Sequence, residues 1–124
     1  MTIERIADYF RHSDGRGAIR GLINSNEWGE INFIESDAGQ IRGLHYHRSS
    51  LEFFFIVSGE ILVKTWPLDS KLKKGLESQV VVKAGDAFLV RPMTLHAFET
   101  LQPSSWINAM SPRMSDAEKD IHRL

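Results

Sequence analysis

The chain has 124 residues, 42% of them apolar, with seven Phe, three Trp and two Tyr, enough for one compact domain around one core. Its formal charge of −1 argues against a nucleic-acid partner, which needs a basic surface to neutralise phosphates. No apolar run approaches the roughly 20 residues that span a bilayer, so no membrane partner is expected. The absence of cysteine excludes disulfides, thiolate metal sites and cysteine nucleophiles. Met1-Thr-Ile-Glu-Arg carries an early acid and no apolar segment, so it does not read as a secretory leader, and a cytoplasmic location is expected.

In chain order, Ile3, Ile6 and Tyr9/Phe10 are spaced near one helical turn and predict a short helix over residues 1–12. Asp14-Gly15-Arg16-Gly17 is a turn signal. From residue 18 to about residue 109 the chain reads as short strands: Ile31–Ile34, Leu51–Val57, Ile61–Trp66, Val80–Val82, Ala87–Val90, Leu95–Thr100 and Trp106–Met110. Asp37-Ala38-Gly39-Gln40, Ser58-Gly59-Glu60 and Ala84-Gly85-Asp86 divide them as turns, and Lys71, Lys73 and Lys74 read as a solvated loop. Many short strands with this punctuation predict a sandwich or a barrel. Phe53-Phe54-Phe55 and Trp66 are read as core, and Trp28, beside Gly29, as a cover for a barrel mouth or a dimer contact. Ser115-Asp-Ala-Glu118 has the capping-box form and predicts a short, exposed helix from about residue 116 to the end.

His45-Tyr46-His47 is the most informative tripeptide. Residues two apart on a strand share a face, so both imidazoles project together and Tyr46 packs on the other side. Glu52 follows after a tight turn, and His96 is delivered from a distant strand. Three imidazoles and one carboxylate suit a divalent ion, Zn, Fe, Mn, Ni or Co, with positions open to water or substrate. The plainer reading of each residue alone is a solvent-facing H-x-H pair, a solvated glutamate and a core histidine with satisfied nitrogens. His12 and His122 have no partners in the sequence and read as surface residues.

The full spacing favours the metal. Gly39, five residues, His45-x-His47, four residues, Glu52, six residues and Gly59 match the first signature motif of the cupins. A second, looser motif runs through Gly85, Pro92 and His96, with Thr100 at its terminal asparagine position. The resemblance implies an all-β double-stranded β-helix, the cupin jelly-roll barrel, as a single domain over residues 1–124 with short terminal helices.

Three stretches narrow the likeness: Asp14-Gly15-Arg16-Gly17, Arg42-Gly43-Leu44-His45-Tyr46 and Ser58-Gly59-Glu60. The second resembles the R-G-L-H-Y stretch of dTDP-4-dehydrorhamnose 3,5-epimerases. The first, with R-G-x-H-x-H, resembles the dTDP-4-oxo-6-deoxyglucose 3,4-ketoisomerases. H-x-H-x4-E with the D-x-R-G-like opening resembles the C-terminal cupin of capsular polysaccharide epimerase-reductases. By this likeness the chain is a metal-binding epimerase or isomerase of a nucleotide-linked keto-sugar, working by proton abstraction beside a carbonyl. His45 is then the base, a metal or His47 stabilises the enolate, and Arg42 and Arg16 hold the nucleotide diphosphate. The chain departs from those enzymes in its acid, since only Tyr9 and Tyr46 are available. Phe33 stands where the ketoisomerases carry an aromatic hydroxyl, and Trp106 where a late aromatic is expected. The alternatives are a non-catalytic small-ligand-binding cupin and a metal-dependent oxygenase or phosphosugar isomerase. Edge strands and an apolar N-terminal segment predict a homodimer.

Overall fold

A computed structural model of the chain describes residues 3–111 and 120–124. Its elements are β1 (Ile3–Arg5), β2 (Phe10–Asp14), β3 (Gly17–Gly21), β4 (Glu30–Ser36), β5 (Ile41–His45), β6 (Leu51–Ser58), β7 (Glu60–Pro67), β8 (Ser78–Lys83), β9 (Ala87–Val90), β10 (Thr94–Thr100) and β11 (Ser104–Ser111). One sheet has the order β1-β9-β6-β11-β4 and the other β5-β10-β7-β8, while β2 and β3 form a separate hairpin. The two large sheets close on each other as the jelly-roll barrel of a cupin-like fold.

Period-2 alternation builds the interior. Along β6, Glu52, Phe54 and Ile56 face inward, and along β11 Trp106, Asn108 and Met110 do the same, with Met110 opposite Glu52 and Asn108 opposite Phe54. Phe54, Phe88, Phe98 and Trp106 interlock with ring centroids 4.8 to 6.1 Å apart. With Ile56, Ile61, Val63 and Val82 they fill the barrel toward one end. Polar inward positions, Glu52 and Asn108, follow at the other end, and there the cavity opens.

The segment predicted as an N-terminal helix is extended. Ile3 enters the barrel core while Ile6 packs on the outer face of the five-stranded sheet. A spacing of three therefore marks two destinations and not one helical stripe. Of the predicted C-terminal helix, residues 116–119 lie outside the described residues. Beyond Asp120 the chain is not helical, and residues 120–124 form a strap in which His122 pairs with Tyr46 in both directions at 3.0 Å.

Phe53, Leu89, Ala87 and Ala109 form a second apolar cluster on the outer face, covered by Ile6, Leu22, Ile23 and Trp28. Trp28 packs against Phe53 with the ring centroids 6.1 Å apart and so covers the back of a sheet, not the barrel mouth. Trp66 is not core either: it is half-buried on the other sheet, with the Lys74 ammonium 5.4 Å above its ring. Among the described residues no helix is long and apolar enough to cross a membrane.

Candidate functional site

His45 ends β5, His47 follows it in the loop to β6, Glu52 is the second residue of β6, and His96 is the third of β10. The barrel brings one ligand atom from each to within 4.8 Å of all the others. His47, Glu52 and His96 are buried and His45 is half-buried. Neighbouring ligands on one ion at bonds of about 2.1 Å lie roughly 3.0–3.4 Å apart, so the cluster needs only a small contraction to hold a metal.

The hydrogen bonds fix which atoms face inward. His47 Nδ1 donates to the Asp120 carbonyl at 2.9 Å, and His96 Nδ1 donates to the Thr94 carbonyl at 2.9 Å. A carbonyl can only accept, so both Nδ1 atoms carry protons and the neutral rings offer their Nε2 lone pairs to the cluster. Those two Nε2 atoms meet the same Glu52 Oε1, at 2.8 Å from His47 and 3.1 Å from His96. Although so close, His47 Nε2 and Glu52 Oε1 are buried without a regular hydrogen bond. Lone pairs converging on an anionic oxygen repel one another unless a proton or a cation sits among them. The donor set therefore fits a divalent metal ion.

Ionisation follows the same logic. Burial opposes the Glu52 charge, but its contacts with His47 and His96 outweigh burial and hold the carboxyl well below its usual range. Burial likewise opposes charge on His47, and the Glu52 contact reverses this and raises it. Burial, then the neighbouring His96 and His47, lowers His45 to about 4, so its imidazole is neutral at neutral pH.

Two supports were not legible in the sequence. Asn108 donates from Nδ2 to Glu52 Oε2 at 3.1 Å, which aims the other oxygen at the histidines. Its only signal is an amide between Trp106 and Met110 on an otherwise apolar inward stripe. Asp120, in the strap, holds the loop that carries His47. Its carboxylate accepts from the amides of Arg48, Ser49 and Ser50 at 2.7 to 3.0 Å. Burial opposes its charge, but these bonds prevail and hold its carboxyl well below the usual range.

The cluster lies at the end of a cavity of about 190 Å³ also lined by Arg42, Gly43, Phe98, Trp106, Asn108 and Ile121. A regular strand would turn Arg42 and His45, three residues apart, to opposite faces. Instead β5 carries a bulge: His45 pairs with His96 and Gly43 with Ala97, leaving Leu44 extra. Gly43 and Leu44 take φ values of +92° and +57° to make it. The bulge turns Arg42 to the cavity side, where it donates to Ser36 Oγ at 3.1 Å and to the Glu35 carbonyl at 3.3 Å. Arg42 also borders a polar cleft of about 450 Å³ lined by Glu35, Ser36, Asp37 and Gln40.

Arg16 is not brought to this cavity. It sits at the tip of the β2–β3 hairpin, 90% exposed, paired with Asp14 at 2.8 Å. Neither tyrosine lines the cavity: Tyr46 is buried with its ring 5.3 Å from that of His122, and Tyr9 is exposed. Phe33 is exposed on the outer face, whereas Trp106 does line the cavity. His122 is no lone surface residue, since its Nε2 lies 3.2 Å from Asp120 Oδ1.

The family described as "Polysaccharide biosynthesis C-terminal domain" matches residues 12–108. A UDP-2-acetamido-2,6-beta-L-arabino-hexul-4-ose reductase of Pseudomonas aeruginosa is 35% identical over 48 residues, covering 39% of this chain. The chain spans only 13% of that relative's length. The rmlC epimerase of Mycobacterium tuberculosis superposes with a TM-score of 0.80 at 19% identity, over 99% of this chain and 68% of that one. The sugar 3,4-ketoisomerase QdtA of Thermoanaerobacterium thermosaccharolyticum, in complex with TDP, superposes with a TM-score of 0.79 at 14% identity, over 99% and 88%.

Proposed function

The chain belongs to the polysaccharide biosynthesis C-terminal domain family, and from that membership we propose that it is an epimerase or isomerase of a nucleotide-linked keto-sugar. The observation that carries this reading is the convergence of His45, His47, Glu52 and His96 with Arg42 on one small cavity. At about 190 Å³ the cavity is smaller than the roughly 300–1,000 Å³ that encloses a drug-sized ligand. The sugar ring enters, and the nucleotide stays outside. Arg42, at the boundary between cavity and cleft, forks onto the diphosphate. Arg16 has no assigned contact within this chain's own cavity.

The roles divide by chemistry. His47, Glu52 and His96, with His45 beside them, would hold one divalent ion, Zn, Fe, Mn, Ni or Co. When bound, the ion supplies a Lewis acid that stabilises negative charge on the sugar oxygen. A single imidazole nitrogen cannot both ligate and abstract a proton. His45, the most exposed of the four, is therefore the base once the ring is in place. Its depressed pKa keeps the lone pair free at neutral pH but makes it a weak base, so the C–H must be strongly acidified by the adjacent carbonyl. Arg42 and the apolar walls of Phe98 and Trp106 orient the ring and exclude water.

Among the described residues no tyrosine hydroxyl faces His45 across the cavity. One base without an opposed acid returns the proton to the face it came from. That favours moving a carbonyl between adjacent carbons over inverting a centre. The same observation favours the second reading, a binding cupin without catalysis.

Metal analysis of protein purified without chelator, together with calorimetry of TDP and UDP, tests this function. The expected results are close to one ion per chain and nucleotide affinity that falls at least tenfold in Arg42→Ala, the loss of one charge-assisted bidentate contact. Metal content unchanged in a His45→Ala, His47→Ala double variant removes the metal site from the account.

A further inference from the structure

The strap at residues 120–124 touches the site at four points. The Asp120 carbonyl accepts the His47 Nδ1 proton at 2.9 Å, and the Asp120 carboxylate gathers the amides of Arg48, Ser49 and Ser50. Its Oδ2 also accepts from the hydroxyls of Ser49 at 3.2 Å and Ser50 at 2.8 Å. Ile121 lines the cavity, and Arg123 donates to the Gly43 carbonyl, inside the bulge that turns Arg42, at 3.0 Å.

Such a set of bonds does more than tether the strap to the barrel. Three consecutive amides and two hydroxyls converge on one carboxylate, so the backbone between His47 and Glu52 has one arrangement. The same residue fixes which His47 nitrogen faces the cluster. Without the Asp120 carbonyl, the His47 proton is free to move to Nε2, and that atom then donates instead of ligating.

We propose that Asp120 is a positioning residue of the site, pinning the 48–50 loop with its carboxylate and setting the His47 tautomer with its carbonyl so that Nε2 faces Glu52 and His96. As regards metal affinity the inference rests on the metal reading above; as regards the His47 ring it does not. Partners of ligating histidines typically contribute 10–100-fold in metal affinity.

Two measurements on the full chain separate the claims. The first is nitrogen-edited NMR of the metal-free protein, in which the His47 Nδ1 proton should give a solvent-protected signal. Asp120→Ala keeps the backbone carbonyl but removes the carboxylate that holds it in place, so the signal should broaden or lose its protection, and Asp120→Asn, which keeps the volume and one acceptor oxygen, should weaken it less. The second is cobalt affinity by chelator competition in wild type, Asp120→Ala, His47→Ala and the double variant. Asp120→Ala should cost about 10–100-fold alone and little more once His47 is gone, because Asp120 acts through that ring. A merely structural strap predicts additive losses and an unchanged His47 signal in Asp120→Asn, and either result overturns the proposal. If the wild type binds no cobalt, the metal reading fails and the NMR comparison alone decides the positioning role. Should Asp120→Ala not fold, Asp120→Asn carries both measurements.

Discussion

Replacing Asn108 tests how the buried carboxylate is held. Its Nδ2 donates to Glu52 Oε2 at 3.1 Å, with both residues at most 5% exposed. Asn108→Ala leaves that oxygen unpaired, at a cost of about 1–3 kcal/mol. Asn108→Asp has nearly the same shape but sets a second carboxylate against the first. At this separation and an effective dielectric of about 20, the repulsion is on the order of 5 kcal/mol. The pair escapes it by taking up a proton, which at pH 7 costs about 4 kcal/mol against an ordinary carboxyl pKa near 3.9. The introduced carboxyl thus has a folded pKa raised above its unfolded value. Its destabilisation grows with pH, by up to about 1.4 kcal/mol per unit, and shrinks to about 1.5 kcal/mol at pH 5. Urea unfolding of the three proteins in chelating buffer at pH 5 and pH 7 reads both effects. An aspartate variant no less stable than the alanine variant at pH 7, with a deficit independent of pH, refutes the reasoning.

Three other outcomes follow from the site and the surface. His45 is lowered from 6.5 to about 4, so the unfolded chain binds the proton first, and this contribution to stability is present above pH 6.5 and lost as pH falls toward 4. His45→Gln should therefore flatten the stability profile of the metal-free protein across that window, by at most about 1.4 kcal/mol per unit, as read by unfolding titrations. Glu52→Gln should lower cobalt affinity at least tenfold in chelator competition, by loss of an anionic ligand. Metal-free stability at neutral pH should fall, as urea unfolding in chelating buffer reads, since the variant loses the carboxylate contacts with His47 and His96 that hold Glu52 below its usual range. Phe10 and Ile19 on the hairpin and Ile31 and Phe33 on edge strand β4 are all exposed apolar side chains. Light scattering should accordingly report a particle of twice 14.1 kDa, and a 14.1 kDa particle at micromolar concentration contradicts the dimer.

What was legible in the sequence was what alternation and spacing encode. Ala87–Val90 is strand β9 to the residue, and the turns at Gly39, Gly59 and Gly85 all fall between strands, each with a positive φ. The four residues of the His/Glu cluster were readable because a motif fixes their intervals. The hairpin strands β2 and β3 went unseen because almost every residue in them is exposed, so no period-2 pattern exists to detect. β5 was read too far along, over His45–His47, whereas the strand is Ile41–His45 and His47 lies in the loop after it; Gly43 interrupts the strand signal at the bulge that turns Arg42 to the cavity. Asn108 and Asp120 matter only through hydrogen bonds to residues 56 and about 70 positions away, and local sequence carries no trace of such bonds.

The most direct test of the account is isotope exchange. The metal-loaded protein is incubated with dTDP-4-keto-6-deoxyglucose, or its UDP, GDP or CDP counterpart, in deuterated water, and the carbons beside the carbonyl are followed by NMR. The account predicts deuterium wash-in at C3 or C5 in the wild type, its loss in His45→Asn, and in Arg42→Ala a rise in the substrate concentration needed. No exchange with any of these nucleotides, in protein shown to carry its metal, contradicts the catalytic reading and leaves a binding cupin.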